Sequence, residues 1–185
     1  MNRVGPSDRP VLEVRVYRGE DQEAVVGLWW DSWHSIRPGL RHPQPLSEWR
    51  RRWADEIVPD QAIVIAEDEG AVVGYAAADI AASVLTQIFV APGYKRRGIG
   101  RELLAWAQRS MPGGFSLRTL ADNLTARAFY DHHGLVAGDR CISEVNGMET
   151  IEYCWVPLPA SHFTAGPDPR DATQAERHGG RQRRV

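Results

Sequence analysis

Cysteine is nearly missing from this chain of 185 residues: Cys141 and Cys154 are the only two. A disulfide-stapled scaffold is therefore not expected, and with no C-x-x-C or Cys/His cluster a metal centre is not expected either. If Asn146-Gly147 makes a two-residue hairpin turn, residue 141 pairs with 152 and Cys154 lies on a diagonal roughly 7–8 Å away, too far for an unstrained disulfide. Two reduced thiols packed as small hydrophobes are the expectation. An excess of either charge is also lacking, with 22 Lys and Arg against 24 Asp and Glu and a formal net charge of −2. Nucleic-acid partners are not expected of so balanced a chain. No apolar run approaches the roughly 18 residues that span a bilayer, and MNRVGPSDRP at the start lacks the apolar core of a signal peptide. A cytoplasmic protein with no membrane partner is the default expectation.

What is there suffices for one domain with a sizeable core, since 43% of the residues are hydrophobic. Residues 1–10 read as a flexible polar tail. Strand patterns cover 11–17, 62–67, 71–80, 82–90 and 115–120, followed by a hairpin over 139–156; helical spacing covers 20–34, 48–57, 98–109 and 123–133. Ser47 is the expected N-cap of the second helix. From Pro157 onward the chain turns Pro-rich and then almost free of apolar side chains, so 158–185 is expected to be disordered. Its basic end, RQRRV, reads first as a solvated terminus.

Two segments carry chemistry. Val90-Ala91-Pro92-Gly93-Tyr94-Lys95-Arg96-Arg97-Gly98-Ile99-Gly100 joins a β-branched strand to a helix through a glycine-punctuated cationic turn. The glycines stand at a helix start, where backbone N–H groups lack intrahelical partners and the dipole favours an anion. Gly98 and Gly100 let a ligand approach, and Lys95, Arg96, Arg97 and Arg101 add four charges. Neither G-x-x-x-x-G-K-[ST] nor G-x-G-x-x-G is present, which sets aside the common nucleotide loops. Taken alone, the turn also fits a surface loop with solvated arginines. The second segment runs from Asn123 to Leu135, with Asn123 as an Asx-type start and Gly134 as a stop. Asn123, Ala126 and Tyr130 share one helix face.

Val90-x-Pro92, Lys95-x-x-Gly98-x-Gly100 and Asn123-x-x-Ala126-x-x-Phe129-Tyr130-x-x-x-Gly134-Leu135, in that order, resemble the two hallmark motifs of the GCN5-related N-acetyltransferase (GNAT) family. The resemblance covers about residues 11–157 and is clearest over 83–136. It implies a single α/β domain of the α+β type, a mixed and mostly antiparallel sheet flanked by helices in the order β-α-α-β-β-β-α-β-α-β-β. It also implies that the turn over Lys95, Arg96, Arg97, Gly98, Ile99, Gly100 and Arg101 cradles the pyrophosphate of acetyl-CoA. Ile88, Phe89 and Val90 would hydrogen-bond the pantetheine arm through the backbone, with an N–H near Val90 polarising the acetyl carbonyl. Asn123 would touch the cofactor, Ala126 would leave room for it, and Phe129 and Tyr130 would lie beside it. Lys95 and Arg96 depart from the family, which more often has Arg or Gln and then Gly.

Direct transfer to an amine needs an oriented thioester, a neutral amine, stabilisation of the oxyanion and a proton for the thiolate. Tyr130 is the candidate acid, because an unperturbed phenol keeps its proton at neutral pH and is close to a thiol in acidity. The family's strand carboxylate aligns with Val84, so the base is open among Asp31, His34, His42, Asp122 and a water chain. For the acceptor, Trp29, Trp33, His34 and Arg37 are candidates, with Arg37 or Arg41 to hold a carboxylate; helix packing is the other explanation of the tryptophans, which include Trp49 and Trp53. The expected function is acetyl transfer from acetyl-CoA to a primary amine of a small molecule, with no metal. A protein or peptide acetyltransferase and a non-catalytic acyl-CoA-binding module stay open, as does a homodimer.

Overall fold

A computed structural model describes residues 12–37, 39–144 and 146–157, so the tails expected at 1–10 and 158–185 lie outside the described residues. Seven strands, β1 (Glu13–Val16), β2 (Ala62–Asp68), β3 (Ala71–Asp79), β4 (Val84–Val90), β5 (Phe115–Leu120), β6 (Val136–Ile142) and β7 (Glu149–Trp155), form one sheet in the order β1-β2-β3-β4-β5-β7-β6. Every neighbouring pair is antiparallel except β4 and β5. The helices are α1 (Gln22–His34), α2 (Leu46–Arg52), α3 (Ile99–Ser110) and α4 (Leu124–His132), so the element order matches the expected one.

Strands β2 and β3 are buried on both faces, as runs such as Ile63 to Ala66 and Val73 to Ala78 require. Side chains alternate between two cores. Val64, Ala66, Val73 and Ala76 pack under Ile99, Leu103, Leu104 and Ala107 of α3 and under Tyr130 of α4. On the opposite face Ile63, Ile65, Tyr75 and Ala77 pack under Val25, Leu28, Trp29 and Trp33 of α1 and under Trp49 and Trp53. Gly74 is where α3 touches the sheet: a Cβ there would stand 3.0 Å from Ile99 Cγ2 and 3.0 Å from the Phe89 carbonyl oxygen.

Three local expectations need correction. Ser47 lies inside α2, whose extended N-cap is Pro45, because the Pro45 carbonyl already accepts the Glu48 N–H at 3.0 Å. Helix α2 also stops at Arg52 and continues as a wide π turn over Trp53–Ile57, closed by the Val58 N–H on the Trp53 carbonyl at 3.0 Å. In the last hairpin Ser143 and Met148 close a longer loop, with the Ser143 N–H on the Met148 carbonyl at 2.8 Å. Cys141 therefore opposes Thr150 rather than residue 152, and Cys154 opposes Val136. Four residues of β7 separate the two levels, roughly 13 Å, and both thiols are free.

Candidate active site

Strands β4 and β5 run side by side only at Val84 and Ser116, where the Ser116 N–H reaches the Ser83 carbonyl at 3.0 Å. Beyond that point they diverge. The divergence is local to this one parallel pair, because β4 stays bonded to β3 as far as Gly74 opposite Val90, and β5 stays bonded to β7 as far as Leu120 opposite Thr150. The result is a cleft of about 950 Å³ through the sheet. The carbonyl of Val90 accepts a hydrogen bond from the buried Ser32 hydroxyl at 3.2 Å, which ties the open edge of β4 to α1.

At the head of the cleft the 3-10 turn Pro92–Tyr94 leads into the cationic loop. Gly98 is the N-cap of α3 with φ +88°, a conformation that disfavours any Cβ, and the space beside it is open. Arg96 has φ +65° and is not glycine. These two left-handed residues lead into α3, whose first N–H groups have no intrahelical partner, the arrangement that receives anions. Gly100 also packs closely: a Cβ there would meet Phe129 Cε2 at 3.2 Å and Cζ at 3.3 Å.

Helix α4 closes the opposite wall. Its N-cap Asn123 accepts the Ala126 N–H at 3.2 Å through the side chain, and Gly134, at φ +77°, ends it while the Leu135 N–H caps the Tyr130 carbonyl at 3.1 Å. Tyr130 is buried and lies against Tyr153, ring centroids 5.2 Å apart. Burial, with Tyr153 a smaller contributor, pushes its phenol well above the usual value.

Of the residues expected at the cofactor, Ile88, Phe89, Val90, Lys95, Arg96, Gly98, Gly100, Arg101, Asn123, Ala126, Phe129 and Tyr130 line this cleft; Arg97 and Ile99 do not. The Arg97 guanidinium lies over the Tyr94 ring at 4.8 Å, and Ile99 turns into the core. Among the acceptor candidates only Trp33 reaches the wall. Trp29 is core, packed on Trp49 at 4.4 Å. His34 is held at both ring nitrogens, Nδ1 to the Trp30 carbonyl at 2.8 Å and Nε2 from the His42 N–H at 3.3 Å, and Arg37 pairs with Asp122 at 3.2 Å. None of Asp31, His34, His42 and Asp122 lines the cleft.

Sequence reasoning did not single out Arg118, Gln87 as a donor, or His132 and His133, all of which face the cleft. His133 holds the Phe129 carbonyl through Nδ1 at 2.8 Å. The partner of Gln87, Tyr75, comes from the neighbouring strand, so no local pattern marks the pair. Among the described residues no group of carboxylates, histidines and cysteines is arranged to hold a metal ion, and no helix is long and apolar enough to cross a membrane.

A family model for the acetyltransferase (GNAT) family matches residues 23–135. The chain belongs to that family and is an N-acetyltransferase by class. No curated protein matches the sequence. Among solved structures, the fold is similar to a GCN5-related N-acetyltransferase from Rhodopseudomonas palustris, at 18% identity and TM-score 0.66 over 83% of this chain and 100% of that one. It is similar to the PaiA N-acetyltransferase of Thermoplasma acidophilum in complex with coenzyme A, at 20% identity and TM-score 0.61 over 78% and 99%. A ribosomal-protein-alanine N-acetyltransferase from Brucella melitensis gives 20% identity and TM-score 0.59 over 79% and 100%. At these identities the likeness is one of fold.

The cleft suits acetyl-CoA on its own chemistry. A long, thin pantetheine arm fits between diverging strands whose backbone groups are unpaired by each other, and a pyrophosphate fits a helix start with a left-handed N-cap beside Lys95, Arg96 and Arg101. No carboxylate lines the wall to repel it.

Proposed function

We propose that the protein transfers the acetyl group of acetyl-CoA directly to a primary amine of a small molecule. The divergence of β4 and β5 is the observation that carries this reading, because it opens one passage to both faces of the sheet. The α3 and α4 side takes the cofactor, and the amine approaches from the α1 and α2 side. Acetyl-CoA supplies an activated thioester.

The chain's own groups then divide the work. The loop at 95–101 and the first N–H groups of α3 anchor phosphates, while β4 at Ile88, Phe89 and Val90 aligns the arm and supplies an N–H near Val90 to the carbonyl oxygen as it gains charge. Tyr130 donates a hydrogen bond to the departing sulfur. Its raised pKa widens the mismatch with a thiol, so hydrogen-bond stabilisation of the thiolate is the larger part of its role. With no carboxylate on the wall, the amine loses its proton to water in the open acceptor side.

Thiol release on mixing acetyl-CoA with a panel of small amines, followed by mass-spectrometric detection of the acetylated amine, tests the proposal. Cofactor binding without thiol release for any amine would overturn it. A peptide N-terminus as acceptor is the second reading, favoured by the similarity in fold to a ribosomal-protein-alanine N-acetyltransferase; release seen with peptides and with none of the small amines would select it.

A further inference from the structure

Two side chains on the acceptor side of the cleft offer hydrogen-bond donors and come to the same level. Strand β4 carries one extra residue, Thr86, between Leu85 opposite Ala78 and Gln87 opposite Ala77, and the Thr86 hydroxyl caps the Ala77 carbonyl at 2.9 Å. Counted from Val84 beside Ser116, three residues of bulged β4 match two residues of β5, so Gln87 stands level with Arg118 across the gap. Both lie on the face that carries α1: Gln87 alternates with Phe89, and Arg118 with Leu120, which belong to the α1-side packing. Both line the cleft.

The orientation of Gln87 follows from its partner. Tyr75 is completely buried and its hydroxyl donates to Gln87 Oε1. Burial pushes that phenol far up, so it stays a donor at every working pH. With Oε1 taken by the Tyr75 hydroxyl, the Gln87 NH2 group, with two N–H bonds, is turned away from Tyr75. Arg118 is held in turn by its cross-strand neighbour Glu152, 3.5 Å from Nη2, and by a contact of Nη1 with Cys141 Sγ. About half its side chain remains exposed. A cleft wall with donors, cations and no carboxylate does not suit a polycationic acceptor.

Resting on the transferase reading above, we propose that Gln87 and Arg118 form a subsite for the carboxylate of the acceptor, and that the acceptor is accordingly an amine of the amino-acid type. Tyr75 is a positioning residue for Gln87. A peptide N-terminus lacks the adjacent carboxylate and is disfavoured by the same subsite.

Amino acids and their carboxamides form the matched pairs for the test. Because a carboxamide's amine deprotonates more easily, KM and binding are the deciding quantities rather than kcat. The expected result is a KM lower by about tenfold or more for the carboxylate, the range of a hydrogen bond to a charged group. Arg118→Gln should bring the two KM values together with the KM for acetyl-CoA unchanged, and Tyr75→Phe should raise KM for the carboxylate alone. A second measurement needs no turnover: the thermal shift of the CoA-loaded protein by amino acids should exceed that by carboxamides and lose the difference in Arg118→Gln. Equal KM values and equal shifts in the unaltered protein, or a preference that survives Arg118→Gln, would overturn the subsite. A carboxylate-selective shift without acetyl transfer would leave the subsite standing and count against the transferase reading instead.

Discussion

Gly100 and Phe129 touch: the first turn of α3 and the middle of α4 approach so closely that a Cβ on Gly100 would stand 3.2 Å from the Phe129 ring. The two motifs at 90–100 and 123–135 are thus one packing unit as well as two sides of a cleft. Gly100→Ala should change stability by no more than about 1 kcal/mol, since the few tenths of an ångström asked of the Phe129 ring oppose the helix preference of alanine, and Gly100→Val should cost about 2–3 kcal/mol. Urea denaturation measures both. At Gly98 the order follows the backbone instead, because φ is +88° and nothing crowds the position. Gly98→Asn should be tolerated better than Gly98→Ala, which costs roughly 1–2 kcal/mol, and both should be milder than Gly98→Val.

Tyr130 should matter to rate and not to cofactor affinity. Tyr130→Phe keeps the ring packed on Tyr153 and removes only the hydroxyl. The expected loss in kcat is about 100-fold, at the low end for a positioned proton donor, with KM for acetyl-CoA little changed. Burial holds the phenol protonated beyond its ordinary value of about 10. Rate should therefore rise with pH as the amine loses its proton and show no falling limb from Tyr130 below about pH 10. A falling limb near neutral pH that disappears in Tyr130→Phe would contradict this role.

Asp21 is a stability residue far from the cleft. Its carboxylate takes two hydrogen bonds of 2.8 Å from Arg15 and one of 2.8 Å from the Arg18 N–H, and it is buried. Arg15 above all, with Arg18 behind it and against the cost of burial, holds the carboxyl below its usual value. A lowered folded-state pKa stabilises above the unfolded value, near 3.9, and that contribution disappears as pH falls through the folded value. Asp21→Asn should cost about 3 kcal/mol at pH 7, and the gap to the unaltered protein should shrink below about pH 4. Chemical denaturation at the two pH values checks it.

Elements whose signals are local were legible. Strand β5 was expected at the residues where it occurs, and α3 and α4 within one residue at each end, because apolar spacing, an Asx start and a glycine stop all act within a few residues of chain. The last hairpin was misregistered because Asn146-Gly147 resembles a two-residue turn, whereas Ser143 and Met148 close a wider loop around it. The tryptophans were ambiguous for a different reason. Spacing puts Trp29 and Trp33 on one face of α1, but whether that face meets the core or the cleft depends on where α2 lies; Trp29 meets Trp49, and Trp33 reaches the cleft wall.

By itself the sequence determined the family, the order of elements, and the two motifs that line the cleft, since each is written in contiguous residues. Tertiary structure decided which side chains line the rest of the cleft. Gln87 and Arg118 come from different strands and line one cleft because β4 bulges at Thr86 and then parts from β5; the direction of the Gln87 amide depends on Tyr75 in a third strand. Strand pairing and bulges are long-range and cooperative, and a register one residue different would turn these side chains to the other face of the sheet.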